Sequence, residues 1–320
     1  MLYTVNQLEK FPKISIVTVN YNNGAFLEQT IKSVLNQGYP NLEYIIIDGG
    51  STDNSVEIIK KYEHSLTYWV SEKDDGQYFA VQKGFDKSTG EIMAWINSDD
   101  LYVPNSFFAV AEIFNSFPDV DWLMGIPREY NEKGVMMSRI TLPWGRWSKR
   151  RFYTYDFQFI QQESSFWKRG LWDKAGSKMN TACMYAGDME LWTRFFRHAK
   201  LYTTVATLAG FRYRDSKQRS IEFRQQYLLE CMTVIKNELK HKPLIKRIGY
   251  KALKILGLLS GPFFFYDVPL LNLIFPWLFN IPRPINYDFS KNKYVRRNLM
   301  VKLPPLFIFN RQVHKKMFKR

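Results

Sequence analysis

The sequence predicts an α/β fold built on a mostly parallel sheet flanked by helices. Three observations carry that expectation: short apolar runs alternate with helix-period segments from Ile14 onward, the runs are rich in Ile and Val, and several close on acidic or turn-forming residues. Residues 14–20 (ISIVTVN) and 42–48 (LEYIIID) read as buried strands, and Leu27, Ile31, Val34 and Leu35 between them fall on one helical face. Further strands are expected over 66–70 and 92–96, with a helix over about 77–86 between them. Pro104 suits the first position of another helix. A first half therefore ends near residue 125.

Beyond residue 126 the pattern loosens. Trp144, Trp147 and the basic run Lys149, Arg150, Arg151 suggest an irregular loop, and periodicity returns at 187–198 in a helix with an acidic first turn and basic later turns. From about Ile221 the chain reads as helical. Residues 255–282 hold a single charge, Asp267, but Pro262, Pro269, Pro276 and Pro282 would break a spanning helix, so attachment at a membrane interface is expected rather than a crossing. The alternative is that this stretch packs on the first domain or forms a dimer interface.

Charge is informative once the chain is divided. Residues 1–125 hold 8 Lys, no Arg and 17 acidic residues, whereas residues 126–320 hold 37 basic and 13 acidic ones. The last stretch, 216–320, carries 21 basic against 5 acidic residues amid many aromatic and aliphatic side chains, which suits an anionic membrane surface or a solvated basic face. Cys183 and Cys231 lack the spacing of a zinc site or disulfide framework, and the N-terminal stretch has no apolar run of the kind a secretion signal uses. A reducing, cytoplasmic location is expected.

Asp48 closes a strand and is followed by Gly49, Gly50, Ser51, Thr52, Asp53 and Asn54. Ligands of open α/β sheets bind at such strand ends, where a carboxylate can accept from a base N–H or ribose hydroxyls, yet the same residues also fit a turn with Ser51 or Asp53 as helix cap. Asp99 and Asp100 follow another strand; paired carboxylates repel unless a cation neutralises them, which suits Mg²⁺ with substrate phosphates, although Asp is also a common turn residue. Asp188 opens a helix after Gly187. A carboxylate there keeps a low pKa and can take a proton, or it serves as an ordinary cap.

Six ordered segments, SIVTVNYNNGAFLEQTIKSVLNQGYPNLEYIIIDGGSTDNS, DGQYFAVQKGF, TGEIMAWINSDD, FIQQESSFWKRGLWDKAG, AGDMELWTRF and FRYRDSKQRS, together resemble family 2 inverting glycosyltransferases of the GT-A fold, of the kind that build bacterial polysaccharides and glycolipids. The resemblance covers about residues 12–220. It implies a GT-A domain over 1–220, with a nucleotide-binding half over about 12–125 and an acceptor half over about 126–220; the mainly helical, basic and apolar extension expected over 221–320 rests on its own pattern instead. It further implies that Asp48 contacts the nucleobase, that Asp99 and Asp100 bind ribose and metal, and that Asp188 is the catalytic base. Thr18, Asn20, Tyr21, Gly49, Asp75, Gln77 and Lys83 join the nucleotide site by the same match. Phe79 and Gln82 stand where relatives place an acidic residue and an Asn near the nucleotide-sugar, which bears on donor choice. Gln162 and Glu163 fall in the acceptor-side segment. Arg212, Arg214 and Lys217 could neutralise a departing diphosphate or belong to a surface loop, and relatives often have His where Arg214 stands.

The reaction implied is hexosyl transfer from a nucleotide diphosphate-sugar, a UDP-sugar, to a saccharide or lipid-linked acceptor, by one displacement with inversion. Mn²⁺ or Mg²⁺, held chiefly by Asp100 with Asp99, would stabilise the leaving diphosphate. The expected site of action is the inner face of the membrane, where the extension meets anionic lipid. A nucleotidyltransferase is the rival enzyme class, but it would show a Gly-rich phosphate loop where TVNYNNG offers only Gly24. A non-enzymatic polyanion, nucleic-acid or membrane binder is suggested by the net charge of +15. That charge is absent from the first half, no nucleic-acid module is recognisable, and nucleic acid is not an expected partner.

Overall fold

The computed structural model describes residues 11–137, 147–154, 160–214, 218–264 and 277–297. Trp144, Lys217 and residues 265–276 of the apolar stretch lie outside them. The first half alternates strand and helix: β1 (Ile14–Asn20), α1 (Gly24–Leu35), β2 (Leu42–Asp48), α2 (Ser55–Tyr62), β3 (Tyr68–Ser71), α3 (Gln77–Lys87), β4 (Ile92–Asn97), β5 (Leu101–Tyr102) and α4 (Ser106–Ser116). The second half adds β6 (Trp122–Tyr130), β7 (Met136–Met137), α5 (Lys149–Tyr153), β8 (Ser165–Lys168), α6 (Arg169–Lys174), α7 (Gly187–His198) and β9 (Tyr202–Arg212). Then come α8 (Arg219–Glu222), α9 (Arg224–Lys240), α10 (Leu244–Phe264), β10 (Ile285–Asp288) and β11 (Lys293–Arg296).

One sheet runs β3-β2-β1-β4-β8-β6-β9-β5, with β7 paired to β6. As expected, β3, β2, β1 and β4 are mutually parallel, and β6 is parallel to β9; β8, β5 and β7 join antiparallel. The parallel strands read as continuous apolar runs because both faces are covered. Alternate residues go to opposite sides: Val17, Ile45, Ile47, Met93 and Trp95 join Val81, Phe85, Trp192 and Phe195 from α3 and α7, whereas Ile16, Tyr44, Ile46, Ala94 and Ile96 join Leu27, Ile31, Phe107 and Val110 from α1 and α4. Trp192 stacks between Trp95 and Trp122, with ring centroids 5.7 and 5.0 Å away.

Several sequence expectations are corrected. The strand expected from Leu66 begins at Tyr68, because Leu66 closes the 3₁₀ turn Glu63–Ser65 through its N–H to the Glu63 carbonyl. Pro104 precedes α4 rather than opening it; Asn105, with φ of 65°, makes the turn. The basic run expected as irregular loop forms α5, since Ser148 caps it by accepting from the Arg151 N–H. The extension is helical through α10, which continues past Pro262 to Phe264, but it also contains the unexpected antiparallel hairpin β10–β11. That hairpin is fixed by Asn286, which accepts from the Val205 N–H at 3.0 Å, and by Arg296, which pairs with Asp119 at 2.5 Å. Helix α9 contributes Cys231 and Ile235 to the core cluster that holds α7.

Gly84 sets the approach of α3 to β1, because a Cβ there would lie 2.3 Å from Val17 Cγ1. Gly84→Ala is expected to destabilise the fold by about 1–3 kcal/mol, the usual range for overpacking. Thermal unfolding followed by circular dichroism reads this against Gly170→Ala, where a Cβ meets nothing within 4 Å.

Candidate active site

Strand register brings the sequence-predicted residues to one edge. Asn20 pairs with Asp48, Asp48 with Ser71, and Val19 with Asn97, so the parallel strands end side by side. Asp48 is fully buried and its carboxylate has four donors: Asn20 Nδ2 (2.6 Å) and Ser51 Oγ (2.6 Å) on Oδ1, the Ser51 N–H (2.9 Å) and Ser71 Oγ (2.6 Å) on Oδ2. These fill its acceptor positions and tie β1, β2 and β3 together. The turn that follows uses Gly50 at φ of 80°, and Asp53 accepts from the N–H groups of Ser55 (3.0 Å) and Gly24 (2.9 Å), locking α2 to α1. Thr18 lies within the sheet, its hydroxyl 3.0 Å from that of Tyr44. Tyr21 and Asp75 are exposed, Gln77 donates to Asn97 Oδ1 (2.8 Å), and Lys83 pairs with Glu72 (2.6 Å). Gly49 passes close to Asp74, where a Cβ would stand 2.9 Å from Oδ2.

Asp99 and Asp100 occupy the turn between β4 and β5, held from below by the Thr30 hydroxyl, 2.9 and 2.8 Å from the carbonyls of Ser98 and Asp100. Arg212, at the end of β9, gives its N–H to Asp100 Oδ1 (3.0 Å), its Nε to the Asp99 carbonyl (2.6 Å) and its Nη1 to the Glu132 carbonyl (2.9 Å). Arg214 pairs with Asp99 Oδ2 at 3.2 Å and donates to Asn23 Oδ1 at 2.9 Å. Both guanidinium groups lie over the Phe26 ring, 5.1 and 5.4 Å from its centroid. Among the described residues, Asp100 Oδ2, Glu163 Oε1, Arg212 Nη2 and Arg214 Nε are buried without a partner. Burial raises the proton affinity of Asp100 well above the usual carboxylate range, and Asp99 and Glu163 add to it; burial also raises that of Asp99. Glu163 is pushed up to about 7 by burial, with Asp188 and Asp99 as neighbouring negative charges. Gln162 donates to the Trp95 carbonyl, and its Oε1 accepts from Asn97 Nδ2 at 3.3 Å.

This donor set fits a divalent cation. A buried carboxylate oxygen without a partner, on Asp100, sits where negative charge exceeds positive, and hard cations of the Mg²⁺ type take one or two carboxylates with substrate phosphates. Asp99 is the second candidate, although Arg214 already engages it. Among the described residues no group of three or more acidic, His or Cys side chains is arranged to hold a metal, so the remaining ligands would come from substrate or water.

Asp188 stands in the first turn of α7, and here the sequence expectation of a low pKa is corrected. Burial pushes Asp188 up to about 6, outweighing its hydrogen bonds and helix position. Tyr227 Oη, from α9, donates to Oδ2 at 3.2 Å. Tyr78 Oη, from α3, lies 3.5 Å from Oδ1 and donates to the Tyr185 carbonyl at 2.8 Å. Gly187 admits the Tyr78 ring, which would stand 2.8 Å from a Cβ. Neither tyrosine was singled out by sequence. The residue type was visible, but the contact depends on packing between α3, α7 and α9.

The profile of glycosyl transferase family 2 matches residues 15–169. An uncharacterized glycosyltransferase of Rickettsia typhi is 25% identical over 224 residues, which are 67% of this chain and 68% of that protein. Another, from Nostoc sp., is 34% identical over 107 residues, but the match spans 32% of this chain and only 33% of the Nostoc protein. Among solved structures, S. aureus TarS 1-349 in complex with UDP-GlcNAc superposes with a TM-score of 0.56 at 17% identity, over 72% of this chain and 68% of that one. The mannosyltransferase PcManGT from Pyrobaculum calidifontis, in complex with GDP-Man and Mn²⁺, gives 0.51 at 15% identity, over 77% of this chain and 81% of its own. The structural likeness is one of fold, the GT-A fold.

Glu163 yields a pH test of the buried charge. Its proton affinity is higher folded than unfolded, so its contribution to stability is complete below about pH 4.5 and lost as pH rises through about 7. Glu163→Gln should therefore be more stable than wild type at pH 8, by about 3 kcal/mol, with the difference vanishing near pH 4.5. Thermal melts across pH read the crossover.

Proposed function

We propose that this chain, a member of glycosyl transferase family 2, moves a sugar from a nucleotide diphosphate-sugar, a UDP-sugar, to a hydroxyl of a saccharide or lipid-linked acceptor, with inversion at the anomeric carbon and Asp188 as general base. The observation that carries this reading is the gathering of Asp99, Asp100, Arg212 and Arg214 at the carboxyl edge of the parallel strands, with a recessed carboxylate at Asp188 that burial pushes up to about 6. Such a group is ionised at neutral pH and still basic enough to accept a proton in the transition state.

Asp188 takes the proton of the acceptor hydroxyl as the new C1–O bond forms and the bond to the diphosphate breaks. A single displacement from the face opposite the leaving group inverts the centre. Asp100, through its unpartnered oxygen, would hold Mn²⁺ or Mg²⁺ with Asp99 as the second ligand, and a bound cation would supply charge for the departing diphosphate. The unpartnered N–H groups of Arg212 and Arg214 offer a second source of positive charge that the fold itself holds in place.

A surface-bound location on anionic lipid is supported by α10. Leu244, Ile245, Ile248 and Ile255 are exposed and recur on one face of the helix, flanked by exposed Lys246, Arg247 and Lys251, while Tyr250 turns inward against Tyr153 (ring centroids 5.4 Å). An apolar stripe bordered by cations matches the chemistry of an anionic bilayer interface. No helix among the described residues is long and apolar enough to cross a membrane.

The enzymatic reading is tested by a panel of UDP- and GDP-sugars, using thermal shift for binding and donor hydrolysis or transfer for turnover. One donor should stabilise the protein with Mn²⁺ or Mg²⁺ present and not in excess EDTA, and Asp100→Ala should remove that metal-dependent shift. Asp188→Asn should keep the shift and lose about 10²- to 10⁴-fold in turnover. Equal stabilisation in EDTA would count against the metal, and wild-type turnover in Asp188→Asn would remove Asp188 from the chemistry.

The location is tested by co-sedimentation with anionic liposomes. Binding should weaken but persist in high salt, because salt screens the cations and leaves the apolar contact. The double substitution Ile245→Glu, Ile248→Glu should abolish it while leaving the donor-induced thermal shift unchanged; undiminished binding would transfer the role to another surface.

A further inference from the structure

Helix α9 follows the residue-220 boundary expected for the catalytic domain, yet it lies along α7 from one end to the other. At the first turn of α7, Tyr227 reaches Asp188; at the last, Glu238 pairs with Arg197 at 2.6 Å. Tyr227, Glu230 and Cys231 fall at i, i+3 and i+4, one face of α9, and all three address the entry to α7. Glu230 accepts three consecutive backbone N–H groups: Met184 on Oε1 (3.1 Å), and Tyr185 (2.9 Å) and Ala186 (2.8 Å) on Oε2. Helix α7 has no side-chain cap of its own, so the segment leading into it is held from a different helix.

The two oxygens of Asp188 are not equivalent. Oδ2 accepts from Tyr227. Oδ1 faces Tyr78 at 3.5 Å, beyond a good hydrogen bond, and the single Tyr78 hydroxyl proton is given to the Tyr185 carbonyl. The other titratable groups around Asp188 are Cys231 on α9, Cys183 on the preceding segment and Glu163 ahead of β8. Among the described residues Asp188 forms no ion pair.

We propose that α9 is part of the catalytic site: Tyr227 is a positioning residue that anchors Asp188 through Oδ2 and leaves Oδ1 to take the proton, and Glu230 fixes the segment that aims α7. This rests on Asp188 being the base. A hydroxyl donated to a carboxylate favours its ionised form, so Tyr227 also sets the pH at which the base becomes available.

The test follows the titration of Asp188 in the free, full-length enzyme by infrared difference against Asp188→Asn, alongside the pH profile of turnover. Tyr227→Phe should move the Asp188 titration and the acidic limb of kcat/KM upward by about 1 pH unit, a loss of about tenfold below the limb and little above it. The thermal shift given by UDP with Mn²⁺ should stay as in wild type. Site-specific 3-fluorotyrosine at position 227 donates a stronger hydrogen bond in the same shape and should move the titration downward; it carries the test if Tyr227→Phe does not fold. An Asp188 titration that ignores both replacements would overturn the role of Tyr227. If Asp188→Asn has lost turnover, the base assignment survives that result; if Asp188→Asn turns over as wild type, the base assignment itself has failed.

Discussion

Carboxylates kept from water at the carboxyl edge of the sheet are the constraint around which the rest of the molecule is arranged. A buried charge is costly unless it is paired or hydrogen-bonded, and the acids here are compensated to very different degrees. Asp48 has four donors and closes the strand ends into a rigid unit. Asp99 has Arg214, whereas Asp100 has one backbone N–H on one oxygen and nothing among the described residues on the other. That gradient separates an acid whose acceptor positions are filled from acids with acceptor capacity left for a cation or a hydroxyl.

The same edge shows what sequence could and could not reveal. Strands β1 and β2 are legible because burial on both faces leaves a continuous apolar run, and Asp48, Asp99 and Asp100 are legible because ligands of open α/β sheets bind where such runs end, although a turn residue alone would look the same. The proton affinity of Asp188 is not. A local reading sees a carboxylate at a helix N-terminus and expects stabilised charge, but the covering side chains, Tyr78 and Tyr227, come from α3 and α9, more than a hundred residues before it and 39 after it. The reading of secondary structure fails in the same way where one residue decides the outcome: the Ser148 side chain caps a basic run into α5, and the left-handed backbone of Asn105 delays α4 past Pro104.

Arg212 and Arg214 show how a strand can serve both layers of the site. Alternation along β9 and the residues after it sends both guanidinium groups over Phe26 of α1, so the end of β9, the turn after β4 and the first turn of α1 share one polar junction. Sequence identifies the basic residues but leaves them open between a diphosphate contact and a surface loop. The structure buries Arg212 completely, because its backbone and side chain together satisfy Asp99, Asp100 and Glu132.

The path of the sheet also bears on how the gene could be cut. The family-matched segment stops at residue 169, inside the first turn of α6 and before β9, although β9 is the parallel neighbour of β6 and the link between β6 and β5. A fragment ending there would present β6 as a raw edge of unpaired N–H and C=O groups and would remove Trp192 from between Trp95 and Trp122. The segment that matches the family profile is thus shorter than the unit that closes the sheet, and an expression fragment trimmed to the former invites strand-to-strand aggregation.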